Sequence, residues 1–303
     1  MKWEKKGLIY KPESASKYLV THAANPTAIA LNESKSLYRI FFNGRDINNK
    51  SSVGYFDYDF QENQIIKSST KFLLRFGDKN SFYSHGISLG NFWEFKNQIH
   101  FGFMAWQIRN NDHWRGDIGV FKLNKNCDKV ISDPSLLMGI SSEDKVSLSY
   151  PYILFDEKDL TYKMLYGSTK TWDAGNGEMI HTIKLATTND FKSWKYYGTV
   201  LEYNIGIRQA FSRPTVIKIN DEFYCWFSYR SGDGSKYKIG CAKSKDFLIW
   251  EYTDLRIEKS RSGWDSEMVC YPYVFKIKND VFMLYNGNNF GKTGIGLAKL
   301  NSV

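Results

Sequence analysis

Short runs of alternating hydrophobic and polar residues, separated by small polar clusters, cover the whole chain. Runs such as LYRIFF from Leu37 and EFYCWF from Glu222 are rich in aromatic and β-branched side chains, which favour strands. Aromatic residues make up 17% of the chain, and no stretch shows a sustained helical periodicity. The pattern predicts an all-β protein built of short antiparallel hairpins.

The prolines indicate an internal repeat. Four of the six recur in one local setting: Pro26 in NPTAIAL, Pro151 in YPYILF, Pro214 in RPTVIKI and Pro272 in YPYVFKI. From 151 to 214 and from 214 to 272 the steps are 63 and 58 residues, and the interval from 26 to 151 is close to twice that. A unit without its proline is therefore expected midway, around Ile87. Each unit continues with an aromatic-rich second run and further strand-like runs, which gives five repeats.

The last repeat ends after its third strand. WEKKGLIY at the N-terminus can supply the missing outer strand and close the ring. Four-stranded antiparallel sheets arranged around an axis form a β-propeller, which leaves only short sheet edges. The sequence therefore predicts a single five-bladed β-propeller domain over residues 1–303, in which the N-terminal strand, residues 3–10, closes the last blade.

Composition narrows the partners and the location. The net charge of +9, from 41 Lys+Arg against 32 Asp+Glu, favours anionic partners. The basic residues are scattered and form no reading motif, so nucleic acid is not expected. The four cysteines and five histidines are dispersed, so no metal, cofactor or disulfide framework is predicted. No apolar run is long enough for a signal peptide or a membrane span, and a cytoplasmic location is expected.

These strand patterns carry a resemblance to a known superfamily. Together with the hairpins TTNDFKSW and SKDFLIW, they resemble the five-bladed propellers of glycoside-acting enzymes, namely arabinanases and xylosidases, invertases and levansucrases, and mannoside phosphorylases. MKWEKKGLIY, SRPTV, GWDSEM and YNGNNFGKTGIGLA are also similar to uncharacterised propellers associated with bacterial surface-polysaccharide biosynthesis. The resemblance implies that a carbohydrate or sugar-phosphate substrate binds in a funnel on the axis, where the innermost strands begin.

The resemblance also implies where the site residues lie. Hydrolases of the superfamily place carboxylates at the openings of the innermost strands, one to protonate the leaving oxygen and one to attack or to activate water. The corresponding residues here are Asn25, His85, Tyr150 and Arg213, and an asparagine cannot act as a general base. With Arg45 they form a partly cationic ring that is expected to bind substrate, because the arginine fork suits phosphate or carboxylate. The alternative for both arginines is to pair with nearby acids and hold the blades together.

Catalytic carboxylates are expected at Glu267, Asp46 and Asp265, with Glu178 and Trp264 contributing to the substrate site. Asp265 and Glu267 are two residues apart in GWDSEM and would share a face of an extended chain. For each acid, a structural salt bridge or a turn position is the alternative.

The sequence thus predicts an enzyme that transfers or cleaves a glycosyl unit in bacterial surface-polysaccharide assembly, on a phosphorylated or otherwise anionic sugar. Two alternatives stay open. One is a non-catalytic sugar-binding propeller, and the other is a glycoside hydrolase whose carboxylates have moved to Asp46 and Glu267. A carboxylate pair across the funnel would favour hydrolysis, whereas a basic pocket would favour an anionic donor.

Overall fold

The computed structural model describes residues 1–32, 34, 36–108, 113–232 and 234–301. Over these residues the chain forms β-strands and one short helical segment, α1 (Asn288–Gly291). The strands are β1 (Lys2–Tyr10), β2 (Thr21–Ala30), β3 (Leu37–Arg45), β4 (Ser51–Asp59), β5 (Gln64–Ser68), β6 (Gly86–Phe95), β7 (Gln98–Ile108), β8 (Trp114–Leu123), β9 (Ser135–Met138), β10 (Ser147–Asp156), β11 (Thr161–Thr171), β12 (Ile180–Thr188), β13 (Lys195–Leu201), β14 (Ala210–Ile219), β15 (Glu222–Arg230), β16 (Lys238–Ser244), β17 (Glu251–Ile257), β18 (Cys270–Ile277), β19 (Asp280–Asn286) and β20 (Ile295–Asn301).

Antiparallel pairing groups these strands into four-stranded units. Unit I is β2–β5, unit II is β6–β9, unit III is β10–β13 and unit IV is β14–β17. Unit V consists of β18–β20 and the N-terminal strand β1, which pairs with β20. The predicted all-β propeller is confirmed, and the N-terminal strand completes the last unit as expected. None of the helical residues in the described part of the chain forms a helix long and apolar enough to cross a membrane.

The repeat prolines lie in β-bulges of the innermost strands. The ladder to the neighbouring strand shifts register at each of them, and the residue before each proline has a left-handed φ. Proline has no N–H to donate, so it is tolerated inside a strand where the ladder is interrupted. The φ values are 54° at Asn25, 38° at Tyr150, 49° at Arg213 and 54° at Tyr271.

Unit II forms the same bulge without a proline. The register of β6 shifts between Leu89 and Phe92, so Asn91 stands where the other units have proline. The residue of unit II that is equivalent to the repeat prolines is therefore Asn91 and not Ile87. The residue that corresponds to Asn25 is Gly90, which corrects the equivalence with His85 expected from the sequence.

Side chains next to the bulges connect each innermost strand to the next one around the axis. They are needed because the innermost strands of neighbouring units are not joined by a regular backbone ladder, and buried N–H and C=O groups require partners. In order, the contacts are Thr27 Oγ1 to Gly90 O at 2.9 Å, the Asn91 amide to Ile153 N and O at 2.7 Å each, Tyr152 Oη to Val216 O at 2.6 Å, Val274 N to Thr215 Oγ1 at 3.1 Å, and Tyr273 Oη to Ala28 O at 3.2 Å. We call this set the axial ring.

The axial ring leads to a stability prediction. Asn91→Ala leaves both backbone groups of Ile153 without their partner in the interior, so the free energy of unfolding should fall by about 2–4 kcal/mol. Urea denaturation followed by tryptophan fluorescence measures the change. Asn126→Ala, the same substitution at an exposed position of unit II, should change it by less than about 0.5 kcal/mol. Equal losses in the two variants would show that the Asn91 contact adds nothing net.

Candidate functional site

A pocket of about 240 Å³ opens on the propeller axis, and residues from all five units line it. In the part of the chain that the structure describes, no aspartate or glutamate belongs to this lining. The polar lining residues are Asn25, Asn43, Arg45, Ser51, Ser88, Ser149, Tyr150, His181, Ser212, Arg230, Tyr237 and Tyr271, and the apolar ones are Ala24, Met104, Trp106, Trp114, Met179, Phe211 and Phe290.

Three of the residues predicted to bind substrate, Asn25, Arg45 and Tyr150, lie together in this lining, whereas His85 and Arg213 lie outside it. The His85 ring is near Trp106, with centroids 5.9 Å apart, and its Nδ1 accepts the backbone N–H of Ile108 at 3.2 Å. Partial burial lowers the pKa of His85, with a smaller contribution from a nearby lysine. His85 therefore supports the wall behind Trp106.

Arg213 is only 2% exposed and bridges three units. Its Nη2 donates to Pro26 O at 2.5 Å and to Thr27 Oγ1 at 2.8 Å, and its Nη1 donates to Leu89 O at 3.2 Å. Burial lowers the pKa of this guanidinium to about 10, so it is still a cation at neutral pH. The Arg213 side chain thus connects unit IV to units I and II. Its partners are backbone carbonyl oxygens and one hydroxyl oxygen.

Asn25 belongs to a network of amides whose orientation is fixed. Asn43 Nδ2 donates to Ile87 O at 2.7 Å and Asn43 Oδ1 accepts from Leu89 N at 2.8 Å. Because Asn43 Oδ1 can only accept, Asn25 Nδ2 donates to it, at 3.2 Å, and Asn286 Oδ1 accepts the Asn25 backbone N–H at 2.9 Å. An ionised aspartate could not make the contact with Asn43. The environment of residue 25 suits an amide and not the carboxylate of a hydrolase.

The two arginines of the lining differ in their partners. Arg230 forms an ion pair with the predicted site residue Glu178, with Nε 2.7 Å from Oε2, and its guanidinium lies 5.1 Å from the Tyr237 ring centroid. Glu178 is 9% exposed and stands behind Arg230. Arg45, partly exposed at the end of β3, has no ion pair within the described residues. Desolvation, and then the charge of Arg45, lowers the pKa of His22 to about 4.

His181 is a neutral, doubly hydrogen-bonded member of the lining. Its Nε2 is 2.5 Å from Ser149 Oγ and its Nδ1 is 2.8 Å from Thr169 Oγ1. Burial, and then the charge of Arg230, lowers its pKa to about 3. The ring crosses over Gly167, where a Cβ would lie 2.3 Å from His181 Nε2, so this position accepts only glycine.

Two of the predicted catalytic acids have structural partners. Asp46 Oδ1 accepts the backbone N–H groups of Asn48 and Lys50, both at 2.8 Å, and so closes the β3–β4 turn. Asp265 is 1% exposed and its Oδ2 lies 2.6 Å from Lys5 Nζ, which ties β1 to the loop before β18. Neither residue lines the axial pocket.

The third predicted acid, Glu267, is exposed and also lies outside the pocket lining. Its backbone N–H donates to Asn288 Oδ1 at 2.8 Å. Trp264 packs on Tyr285, with ring centroids 5.2 Å apart, and lies outside the lining as well. A catalytic role for Glu267, Asp46 or Asp265 stays a prediction, which the variants Glu267→Gln and Asp46→Asn would test.

Sequence reasoning missed Phe290, which the loop NGNNFGKTG places in the pocket lining. Asn289, Phe290 and Gly291 have φ values of 54°, 58° and 91°. A left-handed conformation costs a non-glycine residue about 1–2 kcal/mol. The asparagines and glycines around the phenylalanine were the available signal, because these residues tolerate such conformations best.

Comparison with known proteins places the chain among relatives of undetermined function. No family profile matches it. The uncharacterized proteins MT1551 and Rv1502 of Mycobacterium tuberculosis are each 31% identical over 306 residues, which cover 100% of this chain and 100% of each relative.

Solved structures share the fold at low sequence identity. A glycoside hydrolase matches with a TM-score of 0.74 at 14% identity, over 99% of this chain and 92% of that protein. The endo-arabinase from Bacteroides thetaiotaomicron matches with a TM-score of 0.67 at 12% identity, over 95% of this chain and 99% of that protein. The GH43_1 enzyme from Xanthomonas citri complexed with xylotriose matches with a TM-score of 0.67 at 13% identity, over 99% of this chain and 91% of that protein. These likenesses show the propeller fold.

The low pKa of His181 predicts a dependence of stability on pH. Below about pH 6.5 the unfolded chain takes up a proton that the folded protein, with a pKa of about 3, does not accept. The stability from the neutral ring is therefore complete above pH 6.5 and is lost as the pH falls toward 3. His22 acts in the same direction. In urea denaturation at several pH values, His181→Gln should give a shallower fall than the wild type. An equal fall of the free energy of unfolding with pH in both proteins would contradict the role given to His181.

Proposed function

The chain belongs to the family of the uncharacterized Mycobacterium tuberculosis proteins Rv1502 and MT1551, and we propose that it is a carbohydrate-active enzyme that transfers or cleaves a glycosyl unit in the axial pocket. One observation carries the proposal. The pocket brings aromatic rings together with amide, hydroxyl and guanidinium groups from all five units. A sugar needs this combination, because its C–H face is apolar while its hydroxyls require convergent polar groups. The fold shared with an endo-arabinase and a xylotriose-bound enzyme supports a carbohydrate ligand.

The proposed substrate carries a phosphate or a carboxylate. Arg45 and Arg230 line the pocket, and no acid belongs to the described lining. Glu178 offsets Arg230 from behind, so the charge of Arg45 gives the pocket a potential that favours an anion. A bidentate contact between arginine and an oxyanion contributes about 1.5–3 kcal/mol. Arg45 is the stronger candidate, because Glu178 already engages Arg230. The proposed anion contact therefore lies at Arg45, since Arg213 is outside the pocket lining and its Nη1 and Nη2 groups donate to backbone carbonyls and a threonine.

Glycosyl transfer is favoured over hydrolysis. Both hydrolytic mechanisms require a pair of carboxylates at the scissile bond, and the described lining provides none. A phosphorylated donor brings a leaving group that departs as a stable anion and needs little protonation by the protein. Such donors suit the proposed role in bacterial surface-polysaccharide assembly. Non-catalytic sugar binding is the second candidate, and the same lack of carboxylates favours it.

The anion contact is tested by calorimetric titration with glucose, glucose 6-phosphate and glucuronate. We expect the anionic sugars to bind more tightly than glucose, and Arg45→Gln to weaken them about tenfold or more while changing glucose binding little. Arg256→Gln removes the same charge from an exposed residue that is paired with Asp254 and Glu258, and it should leave all affinities unchanged. Equal binding of glucose and its phosphate, with a silent Arg45→Gln variant, would refute an anionic substrate.

Turnover separates the two candidate functions. A panel of hexose and pentose 1-phosphates is incubated with the protein, with and without free sugars as acceptors, and released inorganic phosphate is measured. Release that depends on the acceptor is the result expected of a transferase. Saturable binding without release by any member of the panel would favour the sugar-binding protein.

A further inference from the structure

The segment that completes the pocket at unit V is held in an unusual backbone conformation. Two non-glycine residues in succession, Asn289 and Phe290, have left-handed φ values of 54° and 58°, followed by Gly291 at 91°. For a bulky residue such as phenylalanine this conformation is a genuine outlier. Its result is that the partly exposed Phe290 ring belongs to the pocket lining.

The surrounding structure fixes this segment firmly. Asn288 Oδ1 accepts the backbone N–H groups of Glu267 at 2.8 Å and Met268 at 3.1 Å. Trp264 O accepts from Asn288 N at 2.9 Å and from Thr293 Oγ1 at 2.8 Å. These bonds join the GWDSEM loop to the NGNNFGKTG loop. These hydrogen bonds therefore hold the strained backbone of Asn289 and Phe290 in place.

Two other phenylalanines share the conformation, and both rings pack on core side chains, Phe247 fully buried and Phe191 partly exposed. Phe247, with φ 69°, is 0% exposed, and Phe191, with φ 59°, stacks on Trp93 at 5.3 Å between centroids. In those hairpins the burial of the ring offsets the backbone strain. The Phe290 ring centroid lies 6.0 Å from that of Tyr237 and 6.5 Å from that of Tyr271, and both tyrosines also line the pocket. Phe290 also packs on a buried cluster that includes Ala24 and Met268. Its partly exposed ring forms part of the pocket wall as well, so the strained turn presents an aromatic surface that a ligand can reach.

We propose that Phe290 is the stacking platform for the substrate, and that its ring contacts the continuous C–H face of a pyranose. The proposal rests on the proposed function and adds the recognition of the sugar ring to that of the anion. The strained turn keeps the aromatic face in place before the ligand arrives, so little side-chain freedom is lost on binding. The residue binds and orients substrate.

The test measures binding and stability in the same variants. Phe290→Asn removes the ring and relieves the strain, since asparagine adopts left-handed conformations readily. We expect affinity for the tightest-binding sugar in a panel of glucose, galactose, mannose and their 6-phosphates to fall about tenfold. Relief of the backbone strain opposes the loss of ring packing on Tyr237 and Tyr271, so the melting temperature should change by no more than roughly 2 °C. Phe290→Leu keeps the strain and removes the aromatic face, so it should weaken binding without raising the melting temperature.

Leu160→Asn is the matched control. Leu160 has a φ of 54°, is 69% exposed and lies in the β10–β11 turn, outside the pocket lining. Its substitution relieves the same strain with little loss of packing, so it should raise the melting temperature by roughly 2 °C and leave affinity unchanged. A fall in melting temperature of clearly more than roughly 2 °C in Phe290→Asn, or an unchanged affinity, overturns the proposal while leaving the proposed function intact. If no sugar of the panel binds the wild type, the sugar-phosphate function itself fails, and the stacking role fails with it.

Discussion

The axial ring is the constraint on which the rest of the structure depends. Every innermost strand must pair with the second strand of its own unit and also meet the next innermost strand beside the axis. A bulge of two residues in each innermost strand resolves the conflict. The bulge frees backbone groups, and Thr27, Asn91, Tyr152, Thr215 and Tyr273 connect neighbouring units through side chains. The same left-handed turn places Asn25, Tyr150 and Tyr271 in the pocket, so the architecture and the site share one origin.

The proline repeat was enough to predict the propeller, because the physical reason for each proline is local. A residue without an N–H marks the bulge, and the bulge recurs once per unit. In unit II that signal is absent, and the spacing alone led to Ile87 in place of Asn91 and to His85 in place of Gly90. The closing role of β1 was predictable for a similar reason, since the last repeat lacked one strand.

The site was predictable only in part, because burial and partners are properties of the assembled fold. Asn25 and Tyr150 follow from their positions just before the repeat prolines, and Arg45 follows from its position at the end of β3. Nothing near Arg213 in the sequence shows that carbonyl oxygens from units I and II take up its donors. Likewise, His181 lies in an ordinary strand pattern, and its contact with Ser149 depends on the glycine that happens to lie between them. The partners and charge states of Arg213 and His181 therefore follow only from the folded structure.

The pairing of β1 with β20 has a consequence for the order of folding. Lys2–Tyr10 must wait for Ile295–Asn301, because its pairing partner is far along the chain and is synthesised much later. Closing so long a loop costs entropy before any contact repays it. Until then unit V has an open sheet edge, and β20 can accept any free strand. The ring of units closes only once β20 is available, and the Lys5–Asp265 ion pair of the native register then favours the chain's own β1 over a foreign strand that lacks a lysine at this position.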